Sequence, residues 1–293
     1  LHRCTVRLAL ILFLLAVLLT VSAPRQLGAQ ANDQASRNAQ VDSLFARWNR
    51  ADSPGCALGV IQDGELVYTR GYGSANLDYG VPLDSRSVFY MASVSKQFTA
   101  AAVALAARQG HFSLDDDIRI YFPELPDYGA TITVRHLIHH TSGLRDYLQL
   151  MTLAGMNRAD VHSDQAILDL IARQKELNFQ PGEEYLYSNS GYFLMAELIE
   201  RTTGRSFRDY TAEEIFQPLG MHDTHFHTDP GHVQKRRAIG YSSSRDQGFR
   251  IAFLANFDKV GSGGLYSTVE DMLLWDRNFE ESRIGGPDFI DQL

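Results

Sequence analysis

Ser93 and Lys96 lie three positions apart in the run Phe89-Tyr90-Met91-Ala92-Ser93-Val94-Ser95-Lys96. On a helix that spacing puts a hydroxyl and an amine on one face, one turn apart. A serine hydroxyl is a poor nucleophile at neutral pH until a base within hydrogen-bond reach takes its proton. Lysine can be that base only if its pKa falls, and burial among apolar neighbours lowers it. The stretch from Val94 to Ala107 is apolar or small on nearly every face, with Gly110 just past its end, so it reads as a buried helix. Ser93 in its first turn would lie where free backbone N–H groups point toward anionic oxygen. By itself Ser-x-x-Lys is expected about once by chance in a chain of this size, so its meaning depends on what accompanies it.

Tyr187-Ser188-Asn189 follows Pro181-Gly182-Glu183-Glu184-Tyr185-Leu186 and leads directly into a helical segment from Ser190. A phenol there can relay a proton, and a carboxamide can hydrogen-bond a substrate carbonyl. The bland alternative is a helix-entry turn in which Asn189 or Ser190 only caps.

Other chemistry is weaker. The histidine-rich run from His222 to His232 holds His225-Phe226-His227-Thr228-Asp229, the opening of a zinc-ligand pattern. That pattern needs a histidine after the aspartate, and Pro230 stands there, so a polar loop is expected and a zinc-dependent hydrolase is kept as a minor alternative. His139 and His140 close an amphipathic segment before Gly143, where imidazoles can bond the last helix carbonyls. Cys4 and Cys56 are the two cysteines, and Cys56, beside Ala57-Leu58, reads as a small core residue rather than a thiol nucleophile.

The elements that must position these groups follow from periodicity. Val41, Leu44, Phe45 and Trp48 predict an amphipathic helix ending before Ser53-Pro54-Gly55. Two strands, Cys56 to Ile61 and Glu65 to Arg70, flank Gln62-Asp63-Gly64 as a hairpin. Helical spacing then recurs over Thr133 to His140, Ser163 to Gln174, Ser190 to Thr203 and Phe207 to Phe216. Strand alternation returns near Phe249 to Leu254. Gly261-Ser262-Gly263-Gly264 precedes a helix capped by Thr268, with Asp271 three residues on.

Arg3 and Arg7 precede an apolar stretch from Leu8 to Val21, a signal-peptide pattern with cleavage expected after Ala29; an uncleaved anchor to the inner membrane is the alternative. Residues 30–40 read as a flexible tether and 41–293 as one catalytic domain. An exported protein, periplasmic or secreted, is expected. The net charge of −8 and the lack of a basic cluster beyond the leader argue against nucleic acid as a partner.

Beyond the Ser-x-x-Lys and Tyr-x-Asn motifs, Leu137-Ile138-His139-His140-Thr141-Ser142-Gly143-Leu144, Pro218-Leu219-Gly220-Met221 and Gly263-Gly264-Leu265-Tyr266-Ser267-Thr268 occur in order. With these segments the chain, from about Pro54 to Trp275, resembles the serine β-lactamase-related hydrolases: class C β-lactamases, D-alanyl-D-alanine carboxypeptidases and β-lactamase-like esterases. The resemblance implies an α+β fold of the β-lactamase/transpeptidase type, an antiparallel sheet flanked by helices with a helical lobe at about 97–224. It implies acylation of Ser93, proton transfer shared by Lys96 and Tyr187, substrate binding by Asn189, one oxyanion donor from the Ser93 backbone N–H, and no cofactor or metal. Its third motif, Lys-Thr-Gly or His-x-Gly, belongs on a strand well after the Gly-Gly-Leu-Tyr-Ser-Thr segment. Lys259-Val260-Gly261 stands before that segment and reads as a loop, so the third motif, the second oxyanion donor and a last helix are expected beyond Leu293. The expected substrate is an ester, a β-lactam or a D-Ala-D-Ala type amide, with esters first. A penicillin-recognising sensor that is acylated without turnover is the alternative. The oligomeric state is left open.

Overall fold

Asp63 and Gly64 both take positive φ, 51° and 70°, the backbone a two-residue hairpin turn needs to match the twist of its strands. The computed structural model describes residues 34–158, 160–245, 248–252 and 258–292. The leader at 1–29 lies outside them. Helix α1 spans 34–45. It is followed by β1 (Cys56–Gln62), β2 (Glu65–Tyr72), β3 (Ser74–Asn76), β4 (Val81–Pro82) and β5 (Phe89–Tyr90). Next come α2 (Ser95–Arg108), α3 (Val134–Ile138), α4 (Tyr147–Leu153), α5 (Asp164–Ala172), α6 (Asn189–Thr203), α7 (Phe207–Thr211) and α8 (Gln217–Leu219). The chain ends through β6 (His225–Phe226), β7 (Tyr241–Ser244), β8 (Gly248–Ile251), β9 (Leu265–Ser267), α9 (Val269–Glu281) and α10 (Pro287–Ile290).

Among the described residues the strands pair antiparallel in four small sheets, β1-β2, β3-β4, β5-β9-β6 and β7-β8. Helices α2 to α8 form the helical lobe, and the architecture is α+β as expected. Two differences from the sequence reading are local. Helix α1 already includes residues 34–40, inside the stretch read as a tether. Its alanines, its glutamines and Arg37 favour the helical state, and its C-terminal end is anchored: Asp42 accepts from the hydroxyls of Tyr68 and Tyr72, both at 2.7 Å, and Phe45 stacks on Tyr72. The strand predicted near Phe249 to Leu254 is seen as β8, which runs to Ile251, and Phe253 and Leu254 lie outside the described residues.

The core is built around α2. Phe98 and Ala101 to Ala106 are buried, and the run of alanines lets α6 approach closely. Phe98 meets Trp275 of α9 at 4.6 Å and Phe216 at 5.6 Å between ring centroids. Side chains of this size give about 1.5–3 kcal/mol each on full burial, which is what holds α2 in place. On α6, Gly191 lets α3 come near: a Cβ there would stand 3.2 Å from the Leu137 carbonyl oxygen. Among the described residues no helix is long and apolar enough to cross a membrane.

Candidate active site

Ser93 is held by the junction between β5 and α2. Met91 N–H donates to the Leu265 carbonyl of β9 at 2.8 Å. Ala92 then takes φ +46°, a conformation that costs a non-glycine residue energy. A single 3₁₀ turn, Ala92–Val94, carries Ser93 into α2. The buried Ser95 hydroxyl secures the bend, donating to Ala92 O at 2.5 Å and accepting from Leu265 N–H at 3.1 Å. The sequence placed Ser93 in the first turn of the buried helix; the structure places it in the tighter turn before it. The effect is an exposed hydroxyl on a fixed backbone, one turn above a buried lysine.

Lys96 is 7% exposed. Its Nζ lies 2.6 Å from the Ser262 carbonyl, 2.9 Å from Asn189 Oδ1 and 3.3 Å from Ser93 Oγ. Burial lowers its pKa to about 8, with the nearby Asp146 carboxylate opposing the shift. In the neutral amine, two N–H groups can stay on Ser262 O and Asn189 Oδ1 while the lone pair faces the Ser93 hydroxyl. The ammonium also sits over the ring of Tyr187, at 4.7 Å, and that of Tyr192, at 5.3 Å.

Tyr187 brings its hydroxyl to 2.6 Å from Ser93 Oγ. It reaches there because the segment after Pro181 is fastened to the end of α3. Gly182 N–H donates to Thr141 O, and Leu186 N–H to His140 O, at 2.9 and 3.0 Å. Ser188 N–H donates to His140 Nδ1 at 3.1 Å, and the His140 ring lies 4.6 Å from that of Tyr187. His140 was expected to bond carbonyls of its own helix; instead its φ of +59° turns the ring outward to support Tyr187. Gly143 completes the cradle, since at φ +72° a Cβ would stand 2.3 Å from Phe179 O. The two family-like segments therefore act as one unit.

Asn189 begins α6, and its amide is engaged at both ends, Oδ1 by Lys96 and Nδ2 by Asp146 Oδ2 at 2.8 Å. In this geometry Asn189 orients Lys96 through Oδ1, and Nδ2 carries a second N–H besides the one given to Asp146. Asp146 was missed in the sequence. It accepts Gln149 N–H as the N-cap of α4, a short helix whose only signal was Tyr147, Leu150 and Met151 at helical spacing. Ser262 was also unforeseen as a ligand of Lys96, because the contact uses its carbonyl and no side-chain pattern reports it.

The remaining candidates fall elsewhere. Lys259-Val260-Gly261 is a loop, as expected. His225 lies in β6 rather than in a loop, with Nε2 3.3 Å from His227 Nδ1. Burial lowers the pKa of His225 to about 4. Among the described residues, no group of three or more histidine, cysteine or acidic side chains is placed to hold a metal ion. Cys56 is half-buried in β1, and burial raises its thiol pKa, the opposite of what a thiolate nucleophile needs.

The pattern that defines the Beta-lactamase family matches residues 41–291. A D-aminopeptidase of Gluconobacter oxydans (strain 621H) is 32% identical over 245 residues, covering 84% of this chain and 45% of that protein. The chain thus spans about half the length of the curated relatives it matches. Among solved structures, the D-amino acid amidase of Ochrobactrum anthropi SV3 aligns with a TM-score of 0.71 at 27% identity, over 85% of this chain and 71% of that one. The octameric penicillin-binding protein homologue of Pyrococcus abyssi shares the fold with a TM-score of 0.73 at 24% identity, over 89% of this chain and 59% of that one. The matched pattern, the fold and the sequence identity agree, and the chain belongs to the Beta-lactamase family.

Proposed function

We propose that this protein is a serine hydrolase that forms an acyl-enzyme on Ser93. The observation that carries this reading is the desolvated Lys96 amine, held by two acceptors with its third direction facing Ser93 Oγ, while Tyr187 approaches the same oxygen. Attack of Oγ on a substrate carbonyl passes the hydroxyl proton to Lys96 or, through the short contact, to Tyr187. The Ser93 N–H is one donor to the developing oxyanion. Collapse of the tetrahedral intermediate expels the alcohol or amine, which takes a proton back from the Lys96–Tyr187 pair. Water then cleaves the acyl-enzyme by the same steps in reverse.

The bond cleaved is an ester or an amide. D-configured amino acid amides are the amides to test first, since the relatives are D-aminopeptidases and a D-amino acid amidase. The Arg3–Val21 pattern supports an exported protein.

A fluorophosphonate probe should label the wild-type protein and leave Ser93→Ala unlabelled; labelling that persists in the variant would exclude Ser93. Turnover of a chromogenic ester beyond one equivalent supports hydrolysis. A stoichiometric burst with nothing after it would replace hydrolysis by acyl-enzyme trapping, as in a penicillin-recognising sensor.

A further inference from the structure

Lys259 carries a charge into the interior that the proposed chemistry does not use. Its side chain is 3% exposed, and its Nζ lies 2.5 Å from Asp164 Oδ1 and 3.0 Å from Asp258 Oδ1. Asp164 is the first residue of α5. The ammonium also faces Glu197 and Glu200 of α6, whose carboxyls burial pushes up and Lys259 pulls down. If the position needed only packing, an apolar side chain of similar length would serve without the cost of burying an ammonium. What a buried lysine adds is a directional tie between its own loop and α5.

That loop reaches the active site within three residues. Val260 packs against the core. Gly261 crosses α6 at φ +86°, with a notional Cβ 2.3 Å from Tyr192 O, and its carbonyl accepts from Thr99 Oγ1 at 2.9 Å. The Ser262 hydroxyl lies 3.0 Å from that of Tyr147, and the Ser262 carbonyl takes the shortest of the Lys96 hydrogen bonds. Gly263 and Gly264 follow and have no side chains to hold the strand of chain. Upstream of Ser262, the chain is held by the Gly261–Thr99 hydrogen bond and, through a side chain, by the ion-paired end of Lys259.

We propose that Lys259 is a positioning residue for this site: its ion pairs with Asp164 and Asp258 lock residues 258–264 so that the Ser262 carbonyl stays against Lys96 Nζ. The inference rests on the reading of Lys96 as proton acceptor for Ser93. Neutralising Lys259 loosens the strap, admits water beside Lys96 and raises the pKa that burial had lowered.

The test compares full-length wild type, Lys259→Met, Lys259→Arg and Asp164→Asn. The readouts are the pH dependence of fluorophosphonate labelling and the direct NMR titration of Lys96 in protein with isotope-labelled lysine. Lys259→Met is expected to slow labelling at pH 7 by about tenfold and to move the Lys96 midpoint upward by more than about 0.5 pH, with Lys259→Arg recovering most of the rate. Asp164→Asn, which retains an acceptor oxygen, should shift both in the same direction by less and serves if Lys259→Met fails to fold. A folded variant that loses thermal stability but keeps the wild-type midpoint and rate would overturn the inference. If the wild type is not labelled at all, the hydrolase reading falls, and the Lys96 midpoint alone decides the role of Lys259: moved in the variants, it stands; unmoved, it fails.

Discussion

Asp146 Oδ2 accepts two hydrogen bonds from Asn189, one from the backbone N–H at 2.7 Å and one from the side-chain Nδ2 at 2.8 Å. The pair fixes which way the Asn189 amide faces and so presents Oδ1 to Lys96. Asp146→Ala removes both of these hydrogen bonds and the cap of α4 together. It should cost about 2–4 kcal/mol of stability, read as a lower urea midpoint, and should slow Ser93 labelling about tenfold or more. Asp146→Asn keeps an oxygen for the cap and should be milder on both measures.

Acylation should depend on pH through Lys96. With a pKa of about 8, the amine is mostly charged at neutral pH and gains its lone pair as pH rises. Labelling of Ser93 should therefore climb about tenfold per pH unit below that value and level off above it. Lys96→Ala should slow labelling by orders of magnitude and remove the limb. The same shift is linked to stability. Between about 8 and 10.5 the unfolded chain holds a proton that the folded one lacks, so the Lys96 contribution to stability rises with pH across that window. Below it both states are charged and the full burial penalty is felt. Denaturant titrations of wild type and Lys96→Met from pH 7 to 10 would reveal this slope, and parallel curves would count against a depressed pKa.

Ser95 is fully buried and joins the strained Ala92 turn to β9. Ser95→Ala leaves Leu265 N–H and Ala92 O without this partner and should destabilise the fold by about 1–3 kcal/mol. Because the lost bonds also hold the Ser93 backbone, labelling should slow as well, whereas a remote destabilising change would leave the folded protein's rate intact.

Two glycines with similar φ should respond differently to alanine. Gly204 ends α6 at φ +70° with open space around a notional Cβ, so Gly204→Ala should cost about 1 kcal/mol. Gly261, at φ +86°, places that Cβ 2.3 Å from Tyr192 O and 2.9 Å from the Ala196 Cβ. Gly261→Ala adds a backbone clash to the same conformational strain and should cost about 3 kcal/mol or more. Thermal melts of the two variants side by side make the comparison, and equal losses would contradict the close approach of loop and helix.

The periodic parts of the chain were readable because burial leaves a residue pattern. The β1-β2 hairpin has its strands on either side of Asp63-Gly64 as expected, and the helix of Val94 to Ala107 is α2 within a residue at each end. Thr268 caps α9 through Asp271 N–H as its spacing suggested. Short elements were less legible. The seven residues of α4 give too little periodicity to stand out, and the three of β9 are a strand only because β5 and β6 pair on either side.

For the site, the sequence by itself determined the candidate reacting groups. Ser93 and Lys96 are tied by helical spacing, which is a local property, and Tyr187 and Asn189 travel in their own short motif. Tertiary structure decided how those groups are tuned. Asp146 reaches Asn189 across 43 residues of chain, and the Ser262 carbonyl reaches Lys96 across 166. Neither contact is recorded in a residue pattern, because one depends on where a capping side chain's second oxygen points and the other uses a backbone atom that every residue possesses. The depressed pKa of Lys96 has the same origin: it follows from the water excluded when α2, α6 and the 258–264 loop close around one amine, and that exclusion exists only once distant segments have packed.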